Sequence, residues 1–302
     1  MPASPYTDLD RPPLSSRGLE RALVTPRSLW TKIDIRAETG STNADAAVAA
    51  LRGEPEGLVV VAEQQTAGRG RRDRRWTSPP RAGLTLSVLL RPGAADPDRG
   101  WPAAPTGGYG WLPLLAGVAL VEAVRRVAEV EAALKWPNDL LVGDGKCAGI
   151  LAEVSGDAVI VGIGLNVTTR AEELPATSGL PATSGPPPSA GLPATGGLPA
   201  TSLRLAGAAA TDRDPILRAL LRGIAGWYGG WREAGGDAEL SGLLAAYRRE
   251  CVTIGRRVRA LLPGGGEITG EATDVDNDGQ LVIRTADATV HRVSAGDVLH
   301  VR

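Results

Sequence analysis

Lysine is nearly absent from this chain of 302 residues: Lys32, Lys135 and Lys146 stand against thirty arginines. A composition that replaces lysine by arginine wherever a surface charge suffices makes Lys135 and Lys146, eleven residues apart, positions where a guanidinium does not serve, because the two heads differ in shape, hydration and pKa. Asparagine is equally scarce, at Asn43, Asn138, Asn166 and Asn277. The two cysteines, Cys147 and Cys251, lie far apart without metal spacing and read as free thiols of a reducing compartment. No apolar run is long enough to span a bilayer, and the proline-rich N-terminus has no signal-peptide core, so a cytoplasmic protein without a membrane partner is expected. The net charge of −1 implies no general polyanion-binding surface. The length accommodates one medium domain and one small one.

Against this background one stretch concentrates charge. Gln65 to Trp76, QTAGRGRRDRRW, carries Arg69, Arg71, Arg72, Arg74 and Arg75 with Gly68 and Gly70 between them. Apolar runs on either side, Leu58 to Glu63 and Leu84 to Leu90, read as strands, which places the arginines on a loop. Glycines permit close backbone approach and guanidinium forks suit carboxylate and phosphate, so the natural guest is an anion. A solvated charge run, a nucleic-acid patch and a loop closing over a small phosphorylated ligand all fit these residues.

Residues 1–27, rich in Pro, Ser and Arg without apolar periodicity, read as a disordered tail. A short strand follows, then a helix from about Asn43 to Arg52, with Ser41, Thr42 and Asn43 as N-cap candidates that could equally bind a polar ligand. Pro92 to Gly110 reads as a variable loop, and residues 111–130 as a long amphipathic core helix. Short strands are expected at Leu134 to Trp136, Asp139 to Val142, Cys147 to Val154 and Ala158 to Ile163. Pro137 aims Asn138 and Asp139 at a bend. Lys135, Asn138, Asp139, Lys146 and Asn166 together suit a magnesium nucleotide, with Asp139 as a hard oxygen ligand. Leu174 to Ser202 is a tandem array of LPATSG-like hexapeptides, read as an expanded surface loop without activity. Two helices are then expected, the first from Asp214 with Pro215 at its first position, the second over roughly Asp237 to Arg249. From Thr253 short alternating strands and the PGGG and DNDG turns suggest a small β-barrel.

In this order and at these intervals, ETGSTN, QTAGRGRRDRRW, KWPNDL, GKCAGILAE and GIGLNV resemble biotin protein ligase, also called biotin carboxylase-carrier ligase. The resemblance covers Trp30 to about Arg249 and, more weakly, the C-terminal segment. It implies an α+β fold: a mixed sheet flanked by helices, of the class II synthetase and biotin ligase kind, with a small C-terminal SH3-like β-barrel. The implied domains are 28–250, containing the low-complexity loop 172–202, and 251–302. The resemblance is to the monofunctional branch, without a DNA partner. It implies that biotin and MgATP give biotinyl-5′-AMP and pyrophosphate, after which a lysine of a biotin carboxyl carrier domain takes the biotin. Ser41, Thr42 and Gln65 would hold the ureido head, with Asn43, Gly68, Arg69 and Gly70 in the same pocket and Gly149 and Gly162 leaving room against the sheet. Arg71 and Lys146, the catalytic pair, would meet the biotin carboxylate and the α-phosphate. Arg72, Arg74 and Trp76 would order around ATP, Asn138 would bind it, Asn166 would lie on the adenine side and Asp139 would hold magnesium. Asp73 departs from the family loop, where glycine is common, and so bears on lid motion and adenylate retention. A lipoate or octanoate ligase resembles the same fold but would leave Ser41, Thr42 and Gln65 without a ureido group to satisfy. An Arg-rich nucleic-acid module would leave KWPND and GKCAGI without a role. The sequence leaves the oligomeric state open, a homodimer included.

Overall fold

The computed structural model describes residues 10–175, 198–263 and 265–301. The first nine residues of the expected tail and residues 176–197 of the hexapeptide array lie outside the described residues. In chain order the elements are α1 (Ser16–Leu23), β1 (Lys32–Arg36), α2 (Thr42–Leu51), β2 (Leu58–Ala62), β3 (Gly83–Leu90), α3 (Trp111–Ala128), β4 (Ala132–Lys135), β5 (Asp139–Val142), β6 (Gly145–Ser155), β7 (Ala158–Asn166), α4 (Arg213–Glu233) and α5 (Leu243–Glu250). Five further strands follow, β8 (Arg257–Leu261), β9 (Glu267–Val275), β10 (Leu281–Arg284), β11 (Val290–Val293) and β12 (Asp297–His300).

The larger sheet has seven strands in the order β1-β2-β3-β7-β6-β5-β4. Only β1 and β2 run parallel, so the sheet is mixed. Strands β2, β3 and β7 are buried along their whole length, as continuous apolar runs covered on both faces should be. Helix α2 lies on one face, and α3, backed by α4 and α5, lies on the other. Thr106–Ala128 is long and apolar enough by composition to cross a bilayer, contrary to the sequence expectation; two thirds of its apolar 18-residue window is buried, as in a core helix.

Residues 10–27 are ordered, which corrects their reading as a disordered tail. Ser15 caps α1, and Leu19 and Leu23, one turn apart, are buried against the body of the fold. Arg11 is buried and reaches Thr168 O at 3.0 Å and the Glu173 carboxylate at 2.6 Å. A single buried turn of helix is too short to show apolar periodicity, and the partners of Arg11 lie some 160 residues away in the chain. Two helix starts also differ from expectation. Asp212 caps α4, so Pro215 is its third residue and not its first. The segment from Asp237 turns before α5 because the Asp237 carboxylate accepts from the backbone of Glu239 and Leu240 and Gly242 takes a left-handed φ of 75°.

The smaller, five-stranded antiparallel sheet, ordered β11-β10-β9-β8-β12, encloses Val258, Ala260, Ala272, Val275, Leu281, Ile283 and Val298. Its DNDG turn is pinned to the larger unit by two indoles: Trp111 donates to Asn277 O at 2.6 Å and Trp136 to Gly279 O at 3.0 Å.

Candidate active site

Register gives the site its floor. In the centre of the large sheet Ser87 of β3 faces Gly162 of β7, which faces Leu151 of β6; two residues along, Thr85 faces Gly164, which faces Gly149. Equal parity across three neighbouring strands puts these small residues on one face. Added Cβ atoms show what lies over that face. One on Gly162 would stand 2.1 Å from Asn43 Oδ1, one on Gly164 2.4 Å from the Trp76 indole, and one on Gly149 3.5 Å from Lys146 Nζ. The glycines therefore let Asn43, Trp76 and Lys146 close onto the sheet. Room at Gly162, expected for a ligand, is taken by the amide of Asn43. Gly164 does the same for Trp76 and was not singled out from sequence, although it lies two residues from Gly162 in GIGLNV.

At one end of this floor is a polar cluster. Ser41 caps α2, which orients the first-turn side chains of Thr42 and Asn43 toward the sheet. Gln65, just past β2, accepts from Thr42 N at 2.8 Å, and its Oε1 lies 3.1 Å from Thr42 Oγ1. Ser87 Oγ sits between Thr42 Oγ1 at 2.7 Å and Asn43 Oδ1 at 2.6 Å. Asn43 Nδ2 donates to Glu153 at 2.5 Å and to Leu151 O at 3.3 Å. Ser87 and Glu153 were missed from the sequence. The available signal for Ser87 was a serine inside the apolar run LTLSVLL, where its full burial demands partners.

At the other end lies the charged cluster. Lys146 Nζ is 2.7 Å from Asp139 Oδ1, and Lys135 Nζ is 4.0 Å from Asp139 Oδ2. Burial lowers the Lys135 pKa; Asp139 opposes that shift and Lys146 adds to it. Asn138 donates to Ile150 O at 3.1 Å and accepts from Arg71 at 3.2 Å. Arg71 also donates to Gly296 O of the smaller domain at 3.1 Å, and burial lowers its pKa despite Asp297 and Asp139. A cavity of about 560 Å³ opens beside Arg71 and Asn138, between β6 and the turn at Gly279. Asn166, at the end of β7, donates to Thr201 O at 3.0 Å.

The arginine loop divides. Arg69 is exposed, its backbone bridged to Arg75, and Gly68 packs beneath the Trp76 carbonyl. Arg72 and Arg74, expected around the nucleotide, are engaged with the smaller domain. Both pair with Asp297, and Arg72 also donates to Leu261 O at 2.6 Å. The backbone at Arg72 is left-handed, φ 54°, and the Asp297 carboxylate attracts both guanidinium groups. The side chain of Asp73 is outside the described residues. The last hexapeptide is also not a free surface loop. Lys146 N donates to Pro199 O at 2.8 Å, Thr201 N donates to Lys146 O at 2.9 Å, and Ser202 is fully buried. These carbonyl and amide partners come from the backbone, which composition does not reveal.

No group of three or more His, Cys, Asp or Glu side chains able to hold a metal exists among the described residues. A single carboxylate, Asp139, fits a magnesium ion held mainly by nucleotide phosphates and water, and does not fit an all-protein cage.

Residues 41–167 match the Biotin/lipoate A/B protein ligase family, and residues 253–301 match the Biotin protein ligase C terminal domain. The biotin–[acetyl-CoA-carboxylase] ligase of Mycobacterium tuberculosis is 41% identical over 98% of this chain and 100% of its own length. The structure of biotin protein ligase from Aquifex aeolicus in complex with biotin and ATP superposes with a TM-score of 0.65 at 26% identity, covering 90% of this chain and 100% of that one. The biotin protein ligase from Leishmania major in complex with biotin gives 0.55 at 25% identity over 87% and 98%. Full-length similarity at this level means that the chain belongs to the biotin protein ligase family.

Proposed function

We propose that this chain activates biotin as biotinyl-5′-AMP and transfers it to a lysine of a biotin carboxyl carrier domain, with Thr42 and Gln65 holding the ureido head and Lys146 and Arg71 at the reacting carboxylate. The observation that carries this reading is the shared floor: a neutral donor and acceptor pair at one end and a half-buried lysine and aspartate pair at the other, on one face of β3, β7 and β6. In the first step a biotin carboxylate oxygen attacks the α-phosphorus and pyrophosphate leaves; in the second the lysine amine attacks the acyl carbon, AMP leaves and the amine loses a proton. The first step brings two anions together, and Lys146, Lys135 and Arg71 offset their repulsion. Magnesium on the triphosphate, with Asp139 as its protein ligand, would supply further neutralisation. For Lys146 to serve the ligand it must exchange Asp139 for the incoming oxygens. A lysine with a compact, rotatable head suits that exchange, whereas a forked arginine would remain bidentate on the carboxylate.

Incubation with MgATP and equimolar biotin, lipoate and octanoate, followed by mass spectrometry of the bound adenylate, tests the substrate. Biotinyl-AMP alone is expected, and lipoyl- or octanoyl-AMP would refute the ureido pocket. Lys146→Ala should abolish biotin-dependent pyrophosphate release with the fold intact by circular dichroism. Unchanged release would remove Lys146 from the chemistry.

A further inference from the structure

We propose that Glu153, on the open edge of β6, is a positioning residue that fixes the hydrogen-bond polarity of the ureido pocket through Asn43, Ser87 and Thr42. The inference rests on the placement of the ureido head at Thr42 and Gln65. Strand β5 pairs with β6 only as far as Gly149, so Glu153 lies beyond the paired stretch and is exposed, while Asn43 and Ser87 are buried.

The polarity follows atom by atom. A carboxylate and a backbone carbonyl only accept, so the Asn43 atom facing Glu153 and Leu151 O is the nitrogen, which turns Oδ1 to Ser87. Oδ1 only accepts, so the single Ser87 proton is spent on Asn43. Between Ser87 Oγ and Thr42 Oγ1 the proton must then be that of Thr42, and its other neighbour, Gln65 Oε1, is likewise only an acceptor. Whichever of the two it serves, the Thr42 hydroxyl has no proton left for a ligand and presents lone pairs alone. Gln65 is oriented by the same logic. Its Oε1 takes the Thr42 backbone N–H, leaving the Nε2 protons, which lie beside Gly68, for the ligand. The pocket thus offers an acceptor next to a donor, the complement of an adjoining N–H and C=O in a cyclic urea. An acyl chain has neither group, so the carboxylate at the sheet edge favours biotin over plain fatty acids without touching either.

Biotin-dependent ATP–pyrophosphate exchange without acceptor protein tests this, because the edge of β6 then has no docking role. Glu153→Ala should raise the biotin KM about tenfold, the loss expected when one buried hydrogen bond is misdirected, with kcat changed by less than about twofold. Glu153→Gln, whose amide oxygen still accepts from Asn43, should restore the KM. The effects of Glu153→Ala and Thr42→Val should be non-additive, since both act on one donor and acceptor chain. A biotin methylated at the ureido nitrogen should lose most of its disadvantage in Glu153→Ala. If Gln65→Ala raises the KM and Glu153→Ala leaves it unchanged, the pocket stands and the relay is wrong. If Gln65→Ala also leaves it unchanged, the placement of the ureido head fails and the relay with it. Parallel losses in kcat, ATP KM and melting temperature for Glu153→Ala would mean a merely structural role and overturn the proposal.

Discussion

Replacing Gly162 by alanine probes the closest approach in the site. The new Cβ would lie 2.1 Å from Asn43 Oδ1 and 2.9 Å from its Cγ, where ordinary contact begins at 3.4 Å. Gly162 is in the middle of a strand paired on both sides, so the side chain must yield, and the Asn43 amide has to move by more than an ångström. That motion breaks its bonds to Ser87 and to Leu151 O, each worth about 1 kcal/mol when buried. Residual overpacking adds about 1–2 kcal/mol, for a total of about 3–4 kcal/mol. A chain of this size should then melt about 6–12 °C lower. Biotin affinity should fall by about tenfold or more, since Ser87 and Thr42 lose their orientation. Gly149→Ala is the internal control: its Cβ meets Lys146 and Trp76 at 3.5 and 3.6 Å, and stability should stay within about 0.5 kcal/mol of the parent. Differential scanning calorimetry and biotin titration calorimetry on both variants decide the matter. A Gly162→Ala protein that melts and binds biotin like the parent would refute the reasoning.

Arg213→Ala should destabilise the fold by about 3–5 kcal/mol in urea titration, because it leaves the largely buried Glu63 carboxylate with only the Leu14 N–H and no counter-charge, and removes the donor to the Pro12 carbonyl; a loss under about 1 kcal/mol would contradict that. Burial next to Lys135 and Arg256 pushes the His300 pKa down to about 4. The unfolded chain takes up that proton near pH 6.5, so stability is complete above it and falls as the pH drops from about 6.5 to 4. His300→Gln should flatten this part of the melting-temperature profile, and an unchanged slope would reject the assignment. Asp297→Ala releases Arg74 and leaves Arg72 held to the smaller domain by Leu261 O alone, which should speed tryptic cleavage between Arg69 and Arg75; equal cleavage rates would show that Asp297 does not hold the loop.

What could be read from the sequence depended on how local its physical cause was. The apolar runs at Leu58–Ala62 and Gly83–Leu90 became strands and Trp111–Ala128 became the core helix, because periodicity and burial act over a few neighbours. Lys146 and Asp139 meet because KWPND and GKCAG lie on adjacent antiparallel strands. Helix α1 and Arg11 were illegible, since their partners lie on β1, α4 and the segment after β7. Ser87 and Glu153 belong to the pocket through Asn43; Ser87 carried only the weak local mark of a hydroxyl in an apolar run, and Glu153 gave no local sign of this contact. The direction of Arg72 and Arg74 depends on Asp297, more than 220 residues further along the chain.

The tie between Lys146 and the last hexapeptide has an engineering consequence. The array is entered at Glu173, fastened by Arg11, and left at Pro199 and Thr201, zipped onto the backbone of Lys146 itself. With both ends stapled, each doubling of the intervening length costs only about 0.6 kcal/mol of closure entropy. The enzyme thus carries an insertion port for whole foreign domains. A sensor domain spliced there that pulls on Pro199 when it binds its target would convey that tension to the backbone of Lys146.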